Sequence, residues 1–292
     1  SVRDLNVAGP MARSAADLRL LFSVLADTPA PPPRRMDLRG RRIGVWLDQP
    51  GFPLARDCRE AVEHAADIAQ ELESQVSGVR PPIEGDALLD LYLRLLLPVL
   101  AADMPAPLVK AMEMGRPFAR LLASREPFSR SKWALYSAAT HHDWLKANEA
   151  REKLKRDMAE LFTRYDVILA PVAPSSAFEH VEKGDSVTRK LLVDGEPTPY
   201  HAFHAWIALA TICHLPAAAI PVPQPPGHLP AGIQIIGPEG ADLDVLAVAE
   251  ALEGAMGGFV APPALTLPAK AAPPARRRTP ARQKPAKKPK RK

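Results

Sequence analysis

Cysteine is nearly missing from the 292-residue chain, which has only Cys58 and Cys213. Two thiols cannot build a disulfide framework, so they read as buried free thiols of a reducing, cytoplasmic compartment. Aromatic residues are scarce at 5 %, so a core must rest on Leu, Ala, Val and Ile. Long apolar runs are also lacking. The longest, LLLPVLAA at 95–102, holds a proline and falls far short of the roughly 20 residues that span a bilayer, which excludes a membrane span there. The first residues, from Ser1, lack a basic segment followed by an apolar stretch and a small-residue cleavage site, so no secretory signal is expected. An opening residue other than Met reads as a processed or fragmentary start. The paired histidines His141-His142 and His201/His204 have no further ligands at compatible spacing, so no metal and no cofactor is expected.

What is present reads as globular, with 47 % hydrophobic and 24 % charged residues. The net charge of +5 is unevenly placed. Lys270–Lys292 carries 11 Lys or Arg and no acid, leaving 38 − 11 = 27 basic against 33 acidic residues elsewhere, a net of −6. The body is therefore mildly acidic and the end strongly basic. This divides the chain into a domain at 1–262 and a Pro/Ala/Lys/Arg-rich tail at 263–292. The tail cannot bury enough apolar surface to offset ordering entropy and is expected to be disordered. It could neutralise phosphates, giving weak, non-specific, salt-sensitive nucleic-acid binding. It has no aromatic side chain for stacking on bases.

Along the body, Gly9-Pro10 ends an opening segment. Ser14 then stands as a helix N-cap, with Asp17 three residues on and an apolar run, LRLLFSVLA, behind it. RRIGVWLD (41–48) reads as a buried strand, and 56–74, apolar at 61, 65, 68 and 72, as a helix. Strand followed by helix is the order of an α/β protein. Residues 84–123 form a helical block whose LLDLYLRLLLPVL is apolar on nearly every side, as for a buried element or a pocket wall. A long helix is predicted over 131–164, a strand over 166–174 and a hairpin at Asp194-Gly195. A helix over 200–216, stopped by Pro216, two short strands (AAAIPVP and AGIQIIG) and a closing helix over 241–255 complete the body.

Four of these segments, in order, resemble the amidase signature family. They are GPMARSAADL; HHDWLKANEAREKL leading into FTRYDVILAPVAPSSAF; LLVDGEPTPY followed by LPAAAIPVP; and LPAGIQIIGPEGADLDVLAVAEALE. The resemblance implies a mixed, mostly parallel sheet flanked by helices, here incomplete. It also implies hydrolysis of carboxamide C–N bonds by a lysine, a cis-peptide serine and a nucleophilic serine in a Gly-Ser-rich loop. That family keeps its catalytic residues upstream of the GPMARSAADL motif, and no Gly-Gly-Ser-Ser loop occurs in this chain. No catalytic residue is therefore assigned. Ser175-Ser176, the one pair of adjacent serines, reads as part of a proline turn. The chain is expected to be the C-terminal part of an amidase, inactive alone and completed by an N-terminal half. Its partner would then be a small-molecule amide, with a homo-oligomer as a further possibility. A non-catalytic relic and a polyanion-binding protein acting through the tail are the alternatives. By the same resemblance the 200–212 helix borders the acyl-binding channel. Trp206 is read first as core packing, with Phe203 and Ile207, sharing a face, as its companions in a substrate pocket.

Overall fold

The computed structural model describes residues 4–27, 29–122, 126–180 and 184–260. In chain order the elements are α1 (Ala15–Leu25), β1 (Arg42–Val45), α2 (Arg56–Glu71), β2 (Gln75–Gly78), α3 (Gly85–Ala101), α4 (Ala106–Leu121), α5 (Arg130–Ser137) and α6 (His141–Leu161). Then come β3 (Val167–Pro171), the hairpin β4 (Lys190–Val193) and β5 (Glu196–Pro199), a 3₁₀ turn (Tyr200–His204), α7 (Ala208–Cys213), β6 (Ala217–Val222), β7 (Ala231–Ile236) and α8 (Asp242–Ala255). The expected disordered tail at 263–292 lies outside the described residues.

The main sheet has the order β2-β1-β3-β7-β6. β2, β1 and β3 are mutually parallel, β7 opposes β3, and β6 opposes β7. Only β7 runs against the others, so the sheet is mixed and mostly parallel, as the family resemblance implied. β3 is buried at every position, which is what a strand covered on both faces requires. Its alternation sorts the core. Val167 and Leu169 join one cluster with Ala61, Ala65 and Ala69 of α2 and Val248, Ala249 and Leu252 of α8. Ile168 and Ala170 join the other, with α3, α6, α7 and the buried tryptophans Trp46 and Trp206. β6 alternates exposed and buried residues and forms one edge of the sheet.

Polar contacts fix the ends of the first layer. Ser14 Oγ accepts from the Asp17 N–H at 3.1 Å, and the Ala15 N–H donates to Glu253 Oε2 of α8 at 2.8 Å. Arg41, 3 % exposed, pairs with Asp244 at 3.1 Å, joining the start of β1 to the first turn of α8.

Two sequence expectations need correction. The long helix over 131–164 is two helices. Thr140 caps α6 reciprocally, its hydroxyl accepting from the Asp143 N–H at 3.2 Å while Asp143 accepts from the Thr140 N–H at 3.1 Å. Apolar spacing runs across that junction, but a satisfied capping box starts a new helix. The helix over 200–216 is a 3₁₀ turn, a short link and the six-residue α7, and it ends before Pro216, at His214 in the left-handed region (φ 55°). In a 3₁₀ turn side chains three apart lie one above the other. Tyr200 accordingly meets Phe203 with ring centres 5.3 Å apart, and His201 stacks on His204 at 5.7 Å. Among the described residues no helix is long and apolar enough to cross a membrane.

Candidate functional site

The carboxyl ends of β1, β2 and β3 point the same way, and ligands of open α/β sheets bind outside such ends. The segments leaving them are tied together. Trp46 donates its backbone N–H to Leu169 O at 2.9 Å, Val79 to Val45 O at 3.0 Å, and Ala55 to Pro174 O at 2.7 Å. A cleft of about 390 Å³ opens here, lined by Gly51, Phe52 and Pro53 after β1, Asp86 and Leu89 of α3, Glu126, Pro127 and Phe128, and Thr198, Pro199 and Ala202 at the end of the hairpin.

Two glycines shape its floor. A Cβ on Gly85 would lie 2.4 Å from Pro50 O and 3.0 Å from the Phe52 ring, so only glycine lets α3 begin directly on the 50–52 segment. Gly51 has φ +83° and would carry a Cβ 3.3 Å from Asp86 Oδ1, so that carboxylate overhangs the floor. Asp86 makes no hydrogen bond or ion pair with the described residues.

Behind the cleft stands a rigid aromatic layer. Phe52 lies edge-on to Trp206 at 5.3 Å, and Trp46 lies edge-on to Trp206 at 5.2 Å. Each polar end is satisfied. Trp206 Nε1 donates to Pro53 O at 2.9 Å, and Trp46 Nε1 to Gln49 Oε1 at 3.1 Å. Buried Gln234 donates to both Trp206 O (2.7 Å) and Pro171 O (2.8 Å), locking the tryptophan to β3. Trp206 is fully buried, one layer behind the Phe52 wall. Phe203 and Ile207 are half-buried, Phe203 in the 3₁₀ turn and Ile207 in the link before α7. None of these three residues lines the cleft. The wall residues Phe52, Leu89 and Phe128 come from three separate segments, and no spacing in the sequence signals that they meet.

His201 sits beside this layer, 4.4 Å from the Trp133 ring. It is buried, and neither ring nitrogen has a hydrogen-bond partner among the described residues. Burial, then the neighbouring His204 and Arg189, pushes it down to about 4, which keeps the ring neutral. His204 is also held low by burial, although its Nδ1 contacts His201 O at 3.1 Å. Burial raises both thiols, Cys58 and Cys213, to about 12, far from the thiolate a nucleophile needs. Ser175 and Ser176 are half-buried in the bend after β3. Among the described residues, no group of three or more His, Cys, Asp or Glu could hold a metal ion.

A second cleft, about 480 Å³, runs between α3 and α6. Each of its carboxylates is paired with a base. Asp90 takes Arg94 (2.6 Å) and Lys132 (3.1 Å), Asp143 takes Arg116, and Lys153 faces Asp157 at 3.4 Å. Burial pushes the Asp90 carboxyl up, but hydrogen bonds from Tyr136, Arg94 and Lys132 outweigh it and leave the group below the usual carboxylate range.

The family model for Amidase matches residues 3–246, and the chain belongs to that family. The glutamyl-tRNA(Gln) amidotransferase of Clostridium botulinum (strain Hall) is similar through its A subunit, which is 24 % identical over 263 residues, covering 80 % of this chain and 51 % of the relative. The chain thus spans about half the length of the relatives it matches. A bacterial aryl acylamidase of the amidase signature family is similar in structure, with TM-score 0.52 and 26 % identity over 75 % of this chain and 44 % of that one. The peptide amidase from Stenotrophomonas maltophilia, at TM-score 0.56 and 20 % identity over 87 % and 54 %, shares the fold.

Proposed function

We propose that the chain is the C-terminal part of an amidase that hydrolyses carboxamide C–N bonds, supplying one wall of the substrate cleft and no nucleophile. One observation carries this reading. The cleft at the strand ends has carboxylates and aromatic walls, but among the described residues its lining holds no Ser, Cys, Lys or His. The nucleophilic serine, cis-serine and lysine would come from the family's N-terminal portion.

Unpartnered surface supports a complementary half. α1 presents Leu20, Val24 and Leu25 outward, and α4, which buries none of its own residues, exposes Met114, Phe118, Leu121 and Leu122. Contiguous apolar surface of this kind marks interaction sites, and β6 leaves a sheet edge open for pairing. The buried, unpaired cysteines fit a reducing cytoplasm.

The test is release of amine from a panel of aryl amides. The 292-residue chain alone should give no turnover, and joining it to an amidase N-terminal portion bearing the Gly-Ser-rich loop should restore activity. Turnover by the chain alone would overturn the reading, and Ser175 and Ser176 would then be the first residues to replace.

A further inference from the structure

We propose that the cleft over Gly51 binds a primary or secondary ammonium group carried on a compact apolar body. The inference rests on the reading of this cleft as a substrate wall, but it concerns binding and needs no catalysis by this chain.

The walls Phe52, Leu89, Phe128 and Pro199 are apolar, and among the described lining residues the charged side chains, Asp86 and Glu126, are both carboxylates. The two clefts differ in what they leave unmet. In the α3–α6 cleft each lining carboxylate is paired with a base, so an incoming cation would have to displace a partner. Over Gly51 the Asp86 carboxylate has no partner among the described residues, and its Oδ1 lies 3.3 Å from the position a Gly51 Cβ would take. It sits on the first turn of α3, where the helix dipole stabilises an anion but leaves it able to accept from a ligand. A cavity of about 390 Å³ falls within the range of small-molecule sites, whose apolar walls hold the body while a few polar groups orient it. Phe52 and Phe128 line the cleft, and aromatic rings attract cations that approach their faces. The unpaired Asp86 carboxylate disfavours a ligand bearing a carboxylate, so the cleft selects by sign as well as by shape.

Calorimetric titration of the full chain at low ionic strength, with 2-phenylethylammonium, 2-phenylethanol and 3-phenylpropanoate, tests this directly. The ammonium should bind about tenfold tighter than the alcohol, and the carboxylate should not bind. Asp86→Asn should reduce the ammonium to the affinity of the alcohol, with the circular dichroism spectrum and melting temperature unchanged because Asp86 is exposed. Added salt should weaken ammonium binding and leave alcohol binding as it was. The proposal is overturned if ammonium and alcohol bind alike, if no probe binds saturably, or if the ammonium preference survives in Asp86→Asn. Because binding is read without turnover, an inactive chain that binds the ammonium upholds the inference. An active chain that ignores it upholds the cleft's role in hydrolysis and defeats this proposal.

Discussion

The two faces of the sheet are built from different materials. Against α2 and α8 the core is aliphatic and small, with Ala61, Ala65, Ala69 and Ala249 meeting Val167, Leu169 and Ile233. Against α3, α6 and α7 it is bulky and aromatic, with Trp46, Trp206, Phe52, Tyr92 and Phe162. Small side chains let helices lie close on a sheet and leave little to rearrange. Large rings fill space unevenly, need partners for their polar ends, and leave a cleft beside them. The difference separates a face that holds the fold together from a face that holds it open, and four substitutions or conditions probe that contrast.

Trp206→Ala should have the largest effect. Removing a buried ring leaves a cavity and frees the Pro53 carbonyl, a loss of about 3–5 kcal/mol and a melting temperature lower by about 10 °C. A drop under about 3 °C by thermal unfolding would mean that this layer collapses to fill the gap. On the opposite face the error to make is the reverse one. Ala65→Leu, at a site with no exposed surface, should overpack the α2–sheet contact and cost about 1–3 kcal/mol. Full tolerance in a urea titration would show that the α2 layer has room to move.

The third lever is acid. In the folded chain His201 titrates near 4 against about 6.5 when unfolded. Between those values the unfolded chain binds more protons, so stability is complete above 6.5 and is lost as pH falls toward 4. The melting temperature should fall by about 3 °C or more across this window. In His201→Phe the fall should be smaller, and identical pH profiles for the two proteins would remove His201 as its cause. The smallest effect belongs to Asp86→Asn. An exposed carboxylate with no partner among the described residues should change stability by under about 0.5 kcal/mol, and a larger loss would show that Asp86 serves the fold instead of a ligand.

Much of the architecture was legible because it is local. Ser14 before LRLLFSVLA, the apolar spacing of 56–74, the Asp194-Gly195 turn and the short runs of β3, β6 and β7 each announce an element through period or punctuation. Apolar spacing failed at 131–164, where it stays in phase across the Thr140 cap. It failed again at 200–216, where α-helical and 3₁₀ turns place the same residues on different faces. The candidate site was the least legible part. Phe52, Asp86, Phe128 and Pro199 stand far apart in the chain, and each is unremarkable in its own neighbourhood.

The sequence by itself determined most of the element types, the α/β class, the family resemblance, the basic end and the lack of a Gly-Ser-rich loop, because each is written in neighbouring residues. Only the tertiary structure decided that Trp206 stands behind the cleft wall, that His201 is buried without a hydrogen-bond partner among the described residues, and that Asp86 overhangs Gly51. Those facts depend on which distant segments the parallel strands bring to one end of the sheet, and on how closely Gly85 lets α3 approach the loop beneath it.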